Sequence, residues 1–203
     1  MVIIVFARLS NTIQGVVDFA WPMVLISIVV LVSFRVCYLI KNKEKLVLYK
    51  ELLGLSFIIY ILCLFQVVTF QDNVSWATNN FIPFKEMFRY DIGSRLFVKN
   101  VVGNALMFLP YGFFISFYLK NKKPWLTLIL TVITSFSIEL VQMVIGRVFD
   151  IDDILLNLLG GYLGYVVYYW MGRFYEKLPK VFKSELSLNI VAAIILIGVI
   201  SLL

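Results

Sequence analysis

Long apolar stretches broken by short charged intervals dominate the chain. Six of them, Phe19–Ile40, Leu52–Phe70, Val101–Leu119, Trp125–Ile145, Ile154–Met171 and Leu186–Leu203, contain only two charges between them, Arg35 and Glu139. Runs of about 18 or more such residues read as membrane spans, because roughly 20 residues at about 1.5 Å rise cross the hydrocarbon. The pattern predicts an all-α, polytopic membrane helical bundle of about six transmembrane helices over residues 19–203. Residues 1–18 differ. Val2, Phe6, Leu9, Ile13 and Val16 fall on one helical face, with Arg8, Asn11, Gly15 and Asp18 on another. That spacing predicts an N-terminal amphipathic helix lying in the interface, with a seventh, broken span as the alternative. The segment lacks the basic start of a signal peptide.

Composition excludes a soluble domain: 62% of the residues are hydrophobic and mean hydropathy is +0.94. Orientation follows from the cations. Lys41, Lys43, Lys45 and Lys50 flank the first connection between spans, Lys120, Lys122 and Lys123 fill the third, and Arg173, Lys177, Lys180 and Lys183 fill the fifth. The second connection, 71–100, sets four cations against three acids and the fourth, 146–153, one Arg against three Asp, so the odd connections are expected in the cytoplasm and both termini outside. The net charge of +6 is then anchoring charge near anionic lipid, with no partner in nucleic acid implied. The absence of histidine removes His-based metal sites and serine–histidine dyads. Cys37 and Cys63 should lie roughly 15–20 Å apart in depth, too far for a disulfide, and read as small packing residues.

Glu139 is the most informative polar residue. A carboxylate in hydrocarbon costs several kcal/mol, about 2.5–3.5 on insertion scales, so it should face protein or a wet cavity. Ser135, Glu139 and Gln142 recur at i, i+4 and i+7 and share a face of the fourth span. Asp153, Asn157, Gly160 and Gly164 follow the same rule in the fifth. Gly160 and Gly164 form a small-xxx-small pair, and Gly161 gives further room for close helix approach. A short connection makes these spans an antiparallel hairpin whose outer half gathers Glu139, Gln142, Arg147, Asp150, Asp152, Asp153 and Asn157. Asp150 or Asp152 can cap the fifth span. One reading is a purely internal polar network, with Arg147 paired to Asp150 and Glu139 protonated or bonded to Asn157. The other starts from the surplus of oxygens, which could hold a cationic group, a sugar or a divalent cation, with Asp150, Asp152 and Asp153 as metal candidates.

Two further features bear on this region. Pro110 should interrupt the hydrogen bonding of the third span and kink it, while Asn100 and Asn104 share a face near its outer end. The connection 71–100 carries Trp76, Phe81, Phe84, Phe88, Tyr90 and Phe97, a content typical of the headgroup level, and should fold back on the membrane around Asn80-Phe81-Ile82-Pro83-Phe84.

The series Asn80-x-x-Pro83-Phe84, Asn104 through Pro110-Tyr111-Gly112, Ile138-Glu139-Leu140-x-Gln142 and Arg147-x-x-Asp150-Ile151-Asp152-Asp153-x-x-x-Asn157-x-x-Gly160-Gly161-x-x-Gly164 resembles the VanZ-like family over residues 79–170. The resemblance implies a multi-pass protein of the bacterial cytoplasmic membrane. The family's founding member is associated with lowered susceptibility to teicoplanin and related lipoglycopeptides. On this basis the leading expectation is a non-enzymatic cell-envelope protein. Its outward-facing polar pocket (Asn80, Asn104, Ser135, Glu139, Gln142, Arg147, Asp150, Asp152, Asp153 and Asn157) would bind a membrane lipid, a lipid-linked cell-wall precursor or a lipoglycopeptide, with no resident cofactor. The alternative is a membrane-embedded enzyme on a lipid-linked substrate, with Glu139 as the acid or base and the aspartates holding a divalent cation. A transporter is disfavoured by the lack of an inverted repeat.

Overall fold

The computed structural model describes residues 2–70 and 79–202, with side chains described at 20–69, 79–199 and 201. The apolar face expected along residues 1–18, and Trp76, lie outside those side chains. The helices are α1 (Val2–Asn42), α2 (Leu48–Phe70), α3 (Arg95–Leu119), α4 (Trp125–Val144), α5 (Ile151–Lys177) and α6 (Glu185–Leu202). Among the described residues there is no strand, only an isolated parallel bridge between Asn80 and Asp150. Among the described residues, five segments are long and apolar enough to cross a membrane: Ala20–Asn42, Leu48–Thr69, Arg95–Leu119, Trp125–Val144 and Ile151–Lys177. The chain is an all-α, multi-pass membrane protein. The sixth expected span, Leu186–Leu203, falls on α6, Glu185–Leu202.

Some boundaries differ from the sequence expectation. The backbone of α1 is one helix from Val2, so Pro22 sits inside it rather than in its first turn. Membrane helices tolerate such prolines because neighbouring groups satisfy the freed carbonyl. α3 starts at Arg95, earlier than the apolar run alone indicated, and Ser94 caps it by accepting the N–H of Phe97 at 3.1 Å. Its second turn, Val98–Val102, is a π-helical insertion, a geometry common at functional sites. Helical structure continues through Pro110 to Leu119.

The contacts gather into two compact units, Met1–Phe19 with Leu64–Met171, and Ala20–Cys63 with Gly172–Leu203. In the first, glycine allows backbones to touch. A Cβ on Gly160 or Gly164 would overlap the carbonyl oxygens of Ala105 and Leu109 on α3, and one on Gly112 would lie 2.7 Å from the Cα of Gly161. The Gly160/Gly164 edge of α5 therefore packs on α3. Gly161 is shared, since it also meets the side chain of Thr131 on α4. α4 is inverted relative to a soluble helix. Its buried residues are Thr127, Thr131, Ser135, Glu139 and Gln142, while Ile129, Ile133, Phe136 and Val144 are exposed, as a lipid-facing surface should be.

In the second unit, Arg35 is held by two acids. Its guanidinium makes a two-pronged ion pair with Glu51, at 2.8 and 2.9 Å, and lies 3.9 Å from Glu44. α2 begins at Leu48, which brings Glu51 into its first turn. The backbone N–H of Tyr49 donates to the Asn189 side chain at 3.1 Å, tying the start of α2 to α6. Cys37 and Cys63 are free thiols, the first exposed.

Candidate functional site

A cavity of about 940 Å³ opens at the end of the first unit where α2 and α4 finish and α3 and α5 begin. Nine of the ten binding residues expected from sequence line it: Asn80, Asn104, Glu139, Gln142, Arg147, Asp150, Asp152, Asp153 and Asn157. Ser135 lies beneath, where its hydroxyl accepts the Asn157 amide at 2.9 Å. The connection with Lys120, Lys122 and Lys123 joins the opposite ends of α3 and α4.

The α4–α5 turn shows how local sequence builds the site. α4 ends in a Schellman motif: the N–H of Arg147 bonds the carbonyl of Gln142 at 2.9 Å, and that of Gly146 bonds Met143 at 3.3 Å. Gly146 is at φ +86°, a left-handed position natural for glycine. The turn throws Arg147 back over the last turn of α4. Asp150 then caps α5, its Oδ1 accepting the N–H of Asp152 at 2.9 Å. Of the two capping candidates, Asp150 is the cap.

Asp152 has a different task. Its carboxylate accepts the backbone N–H groups of Phe84, Glu86 (2.8 Å) and Met87 (3.1 Å), clasping the segment that follows the Asn80 bridge. That bridge consists of Asn80 N–H to the Phe149 carbonyl at 2.8 Å and Ile151 N–H to the Asn80 carbonyl at 3.0 Å. It is reinforced by the Asn80 amide on Asp150 at 2.8 Å. The segment folds back onto the helical core. Phe81 stacks on the buried Phe149, while Ile82, Phe84 and Phe88 stand exposed on the segment that carries the cavity-lining Lys85, Glu86 and Arg89.

Glu139 is 1% exposed and fully engaged. One oxygen accepts the backbone N–H of Asp150 at 2.9 Å. Hydrogen-bond chemistry orients the Gln142 amide so that its nitrogen donates to the other oxygen at 2.9 Å and its oxygen accepts from Arg147. Arg147 also donates to the Val68 carbonyl at 2.9 Å, so α2 joins the network. Asp153 accepts the Asn104 amide. The Asp150 carboxyl, beyond the helical span, is pushed above its ordinary range by burial, against the opposing pull of the Asn80 amide and the Asp152 N–H.

The three aspartates thus accept from different sets of donors, and both oxygens of Asp152 are occupied by N–H groups. Among the described residues, no three His, Cys, Asp or Glu side chains group so as to hold a metal ion. Asn157 Oδ1, by contrast, is buried with no hydrogen-bond partner, in a residue 2% exposed that lines the cavity.

Sequence reasoning missed several members. Lys85, Glu86 and Arg89 join the cavity wall from the folded-back segment, and their ordinary polar spacing gave no signal. Thr127 and Thr131 extend the Ser135–Glu139 face at the same spacing of four, and could have been found. Gly146, directly after an apolar run, carried a readable helix-stop signal.

A family model described as VanZ/LLP1 matches residues 57–172, more than half of the 203-residue chain, and the chain belongs to that family. No curated protein and no solved structure matches it.

Proposed function

We propose that this member of the VanZ/LLP1 family is a binding protein of the bacterial envelope. Its cavity faces the cell exterior, takes the polar part of a lipid-linked wall precursor or lipoglycopeptide, and so lowers susceptibility to teicoplanin-type antibiotics. The observation that carries the reading is the cavity itself: about 940 Å³ of space in a membrane protein, walled by carboxylates, amides and cations. Volumes of this order accept ligands of drug size. Exposed Ile82, Phe84 and Phe88 on one side offer an apolar path for the lipid part. The three lysines at the other end of α3 and α4 support an exterior-facing cavity through the preference of cations for the cytoplasm.

Binding of a fluorescent lipid-linked precursor and of labelled teicoplanin to purified protein in nanodiscs tests this, paired with susceptibility of cells carrying wild type, Glu139→Gln or Asp153→Asn. Saturable binding that both substitutions weaken, with susceptibility returning toward that of cells lacking the protein, supports the reading. Absence of saturable binding to either molecule, or unchanged binding in both folded variants, refutes it.

A further inference from the structure

We propose that the floor of this cavity selects a primary ammonium group carried by a membrane-anchored ligand. The inference rests on the binding role proposed above and specifies its chemistry. At the floor, each side-chain amide is held by a neighbour through one N–H: Asn104 by Asp153, Asn157 by Ser135, Gln142 by Glu139 and Asn80 by Asp150. The acceptors carry the unfilled buried position. Asn157 Oδ1 has no partner in a fully buried position, and the Asp150 and Asp153 carboxylates each accept through one oxygen only, Oδ1, in the bonds described.

A carboxylate has about four acceptor positions and an amide oxygen two, so one or two bonds leave lone pairs open. An unfilled buried acceptor calls for a donor, and the neighbouring carboxylates make a cationic one preferable. An ammonium is the group that fits: three donors, no acceptor and a positive charge. A phosphate or carboxylate would meet the same floor with repulsion from the Asp150 and Asp153 carboxylates. The ligand's anionic part therefore stays higher in the cavity, beside Lys85 and Arg89, which are exposed. Its apolar part lies along Ile82, Phe84 and Phe88. The ammonium can belong to an aminophospholipid headgroup or to the amine of a lipid-linked peptide, and the two sources present the same chemistry at the floor.

The test uses the full-length protein in nanodiscs and two pairs of probes: phosphatidylethanolamine against its N-acetyl derivative, and a lysine-containing lipid-linked precursor against its Nε-acetyl form. At least one free-amine probe is expected to bind about tenfold or more tightly than its acetylated partner, the scale of one charge-assisted hydrogen bond. The pair that shows the gap identifies the source. Asp153→Asn and Asn157→Leu should each narrow that gap. If a variant fails to fold, the comparison on wild type still decides. Equal affinity of free and acetylated amines in both pairs overturns the ammonium assignment but leaves the envelope-binding role standing. No binding of any probe removes the role as well.

Discussion

Replacing Asp152 by alanine should release the segment that walls the cavity without unfolding the helices. In the native protein one carboxylate, 1% exposed, holds three backbone N–H groups, those of Phe84, Glu86 and Met87. Hydrogen bonds to a charged group contribute about 1.5–3 kcal/mol each, so the upper bound for losing three is about 4.5–9 kcal/mol. The real loss is smaller, because the freed amides recover water once the segment swings open. The Asn80–Asp150 bridge still ties its start to α5. A local loss of about 3–4 kcal/mol is therefore expected, which corresponds to a population shift of roughly 10²–10³. Hydrogen exchange resolved to peptides covering residues 82–90 is the direct assay, since local opening sets the exchange of such amides. Exchange there should accelerate about a hundredfold or more in Asp152→Ala, while peptides from α3 and α5 hold their protection. Asp152→Asn, which keeps one acceptor oxygen, should fall between. Unchanged protection of residues 82–90, or loss of protection across α3 and α5 together, would refute the clasp.

Glu139→Ala leaves the Asp150 N–H and the Gln142 amide without their acceptor and should lower thermal stability by about 2–4 kcal/mol, whereas Glu139→Gln retains an acceptor and should lose less, as read by detergent melting. Gly160→Val or Gly164→Val forces a side chain into the Ala105 or Leu109 carbonyl and should abolish recovery of folded protein, while Gly172→Ala, with open space around it, should be neutral or stabilising by up to about 1 kcal/mol. In the second unit, Arg35→Leu strands Glu51, so the pair Arg35→Leu with Glu51→Leu should melt higher than the single variant. The Asp150 carboxyl is raised by burial, so the folded state holds its proton more tightly than the unfolded one. Its contribution is present in full below the ordinary value of 3.8 and is lost as pH climbs through the raised one. The stability of wild type relative to Asp150→Asn should therefore decline across that interval, and a rise would contradict the burial argument.

What could be read in the chain, and what could not, divides by the range of the interaction. Helical spacing put Ser135, Glu139 and Gln142 on one face, and a short connection placed Asp150 to Asn157 beside them; these are contacts within about two turns or across one hairpin. The all-α, membrane-spanning character followed from run length. The partners of those residues were hidden because they come from far along the chain. Asp152 is 66 residues from Glu86 and 65 from Met87, and Asn104 is 49 from Asp153. No local periodicity encodes such a pairing, so a clasp and a cap look identical in sequence: each is an aspartate at the start of a helix. The glycines show the same limit. Their spacing announces that something approaches closely, yet only the fold reveals that Gly160 and Gly164 turn to α3.

That distinction also explains how so many acids persist at the end of a membrane bundle. Carboxylates removed from water are tolerated when donors meet them, and here the donors are largely backbone N–H groups and amides, neutral groups whose own desolvation is modest beside that of a paired cation. Asp152 is met by three N–H groups, Glu139 by an N–H and an amide, and Asp153 by an amide. Neutral donors hold the acids without pairing them with a cation, which leaves ligand binding and helix architecture as their two purposes. Substituting the three cavity acids by their amides, as Glu139→Gln, Asp150→Asn and Asp153→Asn together, separates the two purposes. Retained folding with lost ligand binding is the expected result, and loss of folding would show that the charges serve the architecture instead.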